Sequence, residues 1–204
     1  VRMVFGADGR KRGHRFVRGI MRSAAKLYYE RAQAAIDGNP DEQTGPLLEP
    51  ILRPLWAAYS VLRKGRDARS PLSIESAERR IVLSAEGEVT SITRRTSLEA
   101  HRLIEEFMIQ ANVCAAETLE QKRTPLIYRV HDTPSEAKVQ SLVDFLGTID
   151  IAWSKGEAPK TERFNKLLEM TRDGPQAEIV NEVVLRTQMQ AIYSPDNIGH
   201  FGLN

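Results

Sequence analysis

Apolar positions recur along this chain with two different periods, and the changes of period mark its elements. Leu47, Leu48, Ile51, Leu52, Leu55, Trp56, Tyr59 and Leu62 fall three or four residues apart, which lays one broad apolar face on a helix ending near Gly65. Pro50 and Pro54 should bend that helix or delay its start. A second stripe, Leu103, Ile104, Phe107, Met108, Ala111 and Ala115, follows Thr96-Ser97-Leu98-Glu99, which offers a hydroxyl cap and an early glutamate. The stretch Tyr28–Ile36 favours helix and is stopped by Asp37-Gly38-Asn39-Pro40, with a loop to about Thr44. Pro134-Ser135-Glu136 opens a helix running to about Leu146, ended by Gly147, and two more helices are expected at Thr161–Thr171 and Gln176–Tyr193. Strand signals lie between them. Val1 to Phe5 and His14 to Val17 flank the turn Gly6-Ala7-Asp8-Gly9, Ile81–Leu83 and Val89–Ile92 flank Ala85-Glu86-Gly87, and Leu126–Val130 is a short strand. The expected class is α+β, a partly antiparallel sheet with β-hairpins packed against several amphipathic helices.

Composition narrows the picture. Over 204 residues, 41% hydrophobic and 27% charged is the balance of a chain that packs a core. The longest apolar stretch, Pro46 to Leu62, is broken by Glu49 and Arg53, so no membrane span is expected. A single cysteine, Cys114, excludes an internal disulfide framework and a multi-cysteine zinc site and points to a cytoplasmic protein. The chain opens as a strand without an initiator methionine and stops in a glycine-punctuated loop, Gly199-His200-Phe201-Gly202-Leu203-Asn204, with nothing after it to hold it in place. Both ends are expected to be cut.

Net charge is only +2, so the distribution of charge matters more than its sum. Arg10, Lys11, Arg12, Arg15, Arg18, Arg22 and Lys26 occur without an acidic residue among them and beside Phe16, Tyr28 and Tyr29. Cations that neutralise phosphates next to rings that stack on bases suit single-stranded nucleic acid; a solvated hairpin edge is an equal alternative. His101 with Glu105 lacks the second histidine of a zinc pattern, and Glu105 and Glu106 are expected to pair with Arg102 or face water. Asn112 is a polar residue in an apolar stripe, expected to be buried and to brace a loop. His131-Asp132 has no nucleophile beside it and is expected to serve a turn, and Cys114 to pack.

Several runs then fall into a familiar order. His101-Arg102-Leu103-Ile104-Glu105-Glu106-Phe107-Met108-Ile109-Gln110-Ala111-Asn112, Tyr128-Arg129-Val130-His131-Asp132-Thr133-Pro134 and Gly199-His200-Phe201-Gly202-Leu203 together resemble the ribonuclease II and ribonuclease R family, closer to ribonuclease R. Arg22 to Tyr29 resembles the family segment whose tyrosine, here Tyr29, stacks on a base near the RNA 3′ end. Leu185 to Asn197 resembles the helix and turn that bring the final loop to the RNA channel.

The resemblance implies a processive exoribonuclease that hydrolyses single-stranded RNA from its 3′ end to nucleoside 5′-monophosphates with magnesium. Residues 1–204 would be the central and C-terminal part of one RNB catalytic domain, incomplete at both ends. It assigns RNA contacts to Arg22, Lys26, Tyr29, Asn197, His200 and Phe201, and no catalytic residue or metal ligand to this chain, since the family's aspartate cluster precedes the opening hairpin and its arginine motif follows Asn204. The chain alone is therefore expected to be inert, and faces bared by truncation to favour a homodimer or domain swap. The alternatives are a non-catalytic RNA-binding or scaffolding relative, and a helical interaction module without RNA function.

Overall fold

The computed structural model describes residues 1–74, 79–94, 97–153 and 160–201, with the backbone alone at 79, 80 and 94. They fall into two compact units, Val1–Ala68 with Thr96–Pro125, and Arg69–Arg95 with Leu126–Asn204.

The first unit opens with β1 (Arg2–Phe5) and β2 (Lys11–Arg15), an antiparallel hairpin whose register pairs Arg2 with Arg15 and Met3 with His14. The second strand lies three residues earlier than the apolar signal at His14–Val17 suggests, because Phe16 and Val17 leave the ladder exposed. After an irregular stretch comes α1 (Tyr29–Ile36), ended by Gly38 at a φ of 100°. The long apolar face forms a short α2 (Gly45–Leu47), a π-helical turn over Leu48–Leu52 and α3 (Arg53–Arg69). Pro50 lies in the π turn and Pro54 at the start of α3, where a missing N–H is least harmful. The expected stop at Gly65 is overturned: α3 runs four residues further. Gly65 serves a close approach instead, since a Cβ there would meet the Gly9 carbonyl oxygen at 2.5 Å. Gly9, at a φ of 78°, is pressed against Gly65 in return.

The last helix of this unit is α4 (Glu99–Gln121), and α1 packs on it. The expected hydroxyl cap is replaced. The N-cap is Leu98, which has no side-chain oxygen, and His101 Nδ1 reaches back to accept its N–H at 3.1 Å. Glu106 is fully buried, with Arg66 at 3.3 Å, so the expectation that it pairs with Arg102 or faces water is also overturned. The helix turns the position of Asn112 outward, so the expectation that it is buried is overturned: it is exposed. Cys114 packs in the core as expected.

In the second unit β3 (Arg79–Leu83) and β4 (Val89–Arg94) form an antiparallel hairpin closed through Gly87. The strand β5 (Tyr128–Val130) is followed by α5 (Glu136–Gly147), capped by Ser135, then α6 (Thr161–Thr171) and α7 (Ala177–Thr187). The helices enclose a core of Leu142, Leu146, Phe164, Leu167, Val180 and Val184. The helix expected to reach Tyr193 stops at Thr187, and Ile192–Ser194 forms a strand, β6, antiparallel to β5. Two contacts explain the stop. Lys138 of α5 donates from Nζ to the carbonyls of Arg186 at 3.1 Å and Gln188 at 2.7 Å, satisfying carbonyls that the next turn would have used. No described helix is long and apolar enough to cross a membrane.

Candidate nucleic-acid interface

In the first unit the site is assembled where α1 meets the first turn of α4. Tyr29 and Gln33 are four residues apart on α1 and so share a face. Gln33 Oε1 accepts the Ala100 N–H at 3.0 Å, satisfying one of the free donors that open α4. One turn earlier Tyr29 lies on the His101 ring, centroids 4.2 Å apart and planes 24° from parallel. His101 is itself fixed by the bond from Leu98, and because Nδ1 accepts there, the neutral ring carries its proton on Nε2, a buried atom with no partner among the described residues. Tyr29 remains 40% exposed on this support. The result is a tyrosine ring oriented by stacking before any ligand arrives, with lowered entropic cost of binding.

Arg22 and Lys26 lie on the irregular, exposed stretch that leads into α1. The Lys26 carbonyl accepts from Gln43 Nε2 at 3.2 Å. The basic patch is less uniform in space than in sequence, because acids from outside the run enter it. Asp8 pairs with Arg12 at 3.1 Å, and Glu117 of α4 with Lys11.

In the second unit Asn197, His200 and Phe201 come together with β5. His131 lies 4.0 Å from the His200 ring centroid and 5.5 Å from that of Phe201, the latter nearly parallel at 20°. The described part of the glycine-punctuated loop, residues 199–201, is held by residues earlier in the chain: the His131 N–H donates to the Gly199 carbonyl at 2.9 Å and the Leu72 N–H to that of Phe201 at 3.0 Å. Gly199 takes a φ of 100°, and Asn197 Oδ1 accepts its N–H at 3.3 Å, so Asn197 shapes the turn. Burial, aided by Arg129, holds His131 below the usual imidazole range. Burial, with His131 and Arg129 adding to it, does the same for His200. Two neutral, closely packed imidazoles and a phenyl ring form an aromatic surface that can stack or donate hydrogen bonds, with Arg129 over the Tyr193 ring at 5.7 Å on the adjoining strands.

The supporting rings were missed at the sequence level. His101 reads there as half of an incomplete zinc pattern and His131 as a turn residue, although His101 stands three residues after the N-cap, where an acceptor can reach back. Among the described residues no three of His, Cys, Asp or Glu converge to hold an ion. The described residues thus do not fit a magnesium site.

Comparison with known proteins identifies the family and the fold. The family model described as the RNB domain matches residues 1–204. Ribonuclease R of Escherichia coli (strain K12) is 36% identical over 203 residues, covering 98% of this chain and 25% of that protein. The apo form of Mycoplasma genitalium RNase R superposes with a TM-score of 0.80 at 22% identity, over 98% of this chain and 32% of that one. The same enzyme in complex with ribose-methylated single-stranded RNA superposes with a TM-score of 0.76 at 24% identity, over 86% and 28%. At those identities the superpositions show the fold. The chain spans about a quarter of the length of the curated relative.

Proposed function

The chain belongs to the RNB domain family, and from that premise we propose that it is part of a 3′-to-5′ exoribonuclease that hydrolyses single-stranded RNA to nucleoside 5′-monophosphates. Within that enzyme it supplies part of the RNA path. The observation that carries this is the Tyr29 ring, seated on His101 at 4.2 Å and exposed to a ligand. A base stacked on such a ring contributes about 1 to 3 kcal/mol without regard to its identity, which is what a processive enzyme needs. Arg22 and Lys26 supply cations to phosphates on the approach to Tyr29, and Asn197 sets the turn that presents His200 and Phe201 as a second aromatic surface. Magnesium belongs to this reading as a cofactor of the whole enzyme, held by residues outside this chain, and the cytoplasm as the compartment in which it works. Self-association is part of the reading too, favoured by Ile81 and Ile92, which face each other exposed on β3 and β4.

The experiment is Tyr29→Ala in the full-length protein, assayed on end-labelled single-stranded RNA. The ring's loss should weaken 3′-end binding about tenfold and change the length of the limit product. Unchanged affinity and an unchanged limit product would remove Tyr29 from the RNA path.

A further inference from the structure

Within the second unit, residues 199–201 are anchored at two points. The Gly199 carbonyl is bound by His131, just past β5, and the Phe201 carbonyl by the Leu72 N–H at 3.0 Å. The first anchor adjoins a strand, but the second is carried by residues 70–73, which belong to no helix or strand. Their backbone is strained where it begins. Ser70 takes a φ of 46°, in the left-handed region, and the next residue is Pro71, which narrows the choices of the residue before it further. Such a conformation persists only where its surroundings over-determine it.

The side chain that does so is Asn165 on α6. Its Oδ1 accepts the Ser73 N–H at 2.9 Å, and its Nδ2 donates to the Pro71 carbonyl at 2.9 Å and to the Ser70 carbonyl at 3.4 Å. One amide thus serves a backbone donor and two backbone acceptors, a combination that an ionised carboxylate of the same length cannot supply. The helix beneath it is fixed, because Phe164, Leu167 and Leu168 of α6 are buried in the core, and Leu72 packs against the same cluster. Leu72 is therefore held from both sides, by its own side chain and by the bonds that Asn165 makes to its neighbours, and its N–H is aimed at Phe201.

We propose that Asn165 is a positioning residue for the aromatic surface of His131, His200 and Phe201, acting through the backbone of residues 70–73. Its effect on RNA rests on the exoribonuclease reading; its effect on the loop does not. Without Asn165 the strained turn relaxes, the Leu72 N–H leaves the Phe201 carbonyl, and the Phe201 ring loses its fixed seat over His131. A ring that must be ordered by its ligand binds less well than one ordered beforehand.

The test is Asn165→Ala in the full-length protein, a change that favours the helix it sits on, so α6 itself is not weakened. Hydrogen exchange should quicken about tenfold or more in residues 70–73 and 199–201 and stay at the wild-type rate in α5 and α7. Binding of a single-stranded RNA 20-mer, with divalent ions chelated to stop hydrolysis, should weaken about threefold in Asn165→Ala and about tenfold in Phe201→Ala. The double variant should be no weaker than Phe201→Ala alone, because both changes remove the same ordered ring, whereas Asn165→Ala and Tyr29→Ala should multiply. Exchange that quickens throughout the helices, exchange that does not change, or losses that multiply in the Asn165 and Phe201 double variant would overturn the positioning role. Local quickening together with full affinity in Phe201→Ala would uphold Asn165 as the anchor of the loop and remove Phe201 from the RNA path instead.

Discussion

Gly65 sits inside α3, where helix propensity alone favours alanine by about 1 kcal/mol. The structure reverses that preference, because the added methyl would meet the backbone of Gly9, which has no flexible side chain to move aside. Gly65→Ala should therefore lower stability by about 1 to 3 kcal/mol, read as a fall in the urea midpoint. The paired histidines give a second expectation at this scale. Folding lowers the imidazole pKa of both His131 and His200 from the ordinary value of 6.5, so below that value the unfolded chain takes up protons that the folded one refuses. Their contribution is complete above pH 6.5 and is lost as pH falls through the lowered folded values. The melting temperature should drop more steeply between pH 7 and 5 in the wild type than in His200→Asn, which removes one of the two groups. Parallel profiles would mean that the pair does not titrate with folding.

Among the elements, the helix ends show how tertiary contacts complete what local patterns begin. Ser135, at the position the Pro134-Ser135-Glu136 pattern suggests, accepts the Lys138 N–H and opens α5. Thr161–Thr171 forms within the bounds its amphipathic pattern sets. The end of α7 obeys no local signal, since the residue that closes it, Lys138, is on α5, 48 and 50 positions from the two carbonyls it reaches. Lys138→Met keeps the aliphatic stem and removes both bonds, and it should cost roughly 1 to 2 kcal/mol in denaturant unfolding. The opening of α4 has the same character: Gln33 of α1 and His101 provide the cap that Thr96 and Ser97 were expected to give, with Thr96 outside the described residues.

At the scale of the molecule, a chain that covers a quarter of the length of a relative carries two aromatic surfaces and no convergent metal-holding set among its described residues. The proposed division of labour makes a direct prediction. Labelled single-stranded RNA incubated with magnesium and residues 1–204 alone should remain full length, while the full-length protein shortens it stepwise. Stepwise shortening by the chain alone would place the cutting machinery within it.

By itself the sequence determined the α+β class, the hairpin turns, most helix bodies and the family, because turn chemistry and apolar period act between residues a few positions apart and recurrent motifs survive in order. Only the tertiary structure decided that Gly65 is a contact and not a stop, that Glu106 is buried against Arg66, that β6 replaces the end of a helix, and that His101 and His131 support Tyr29, His200 and Phe201. Each of these depends on residues far apart in the chain meeting across packed elements, and no short window of sequence contains both partners.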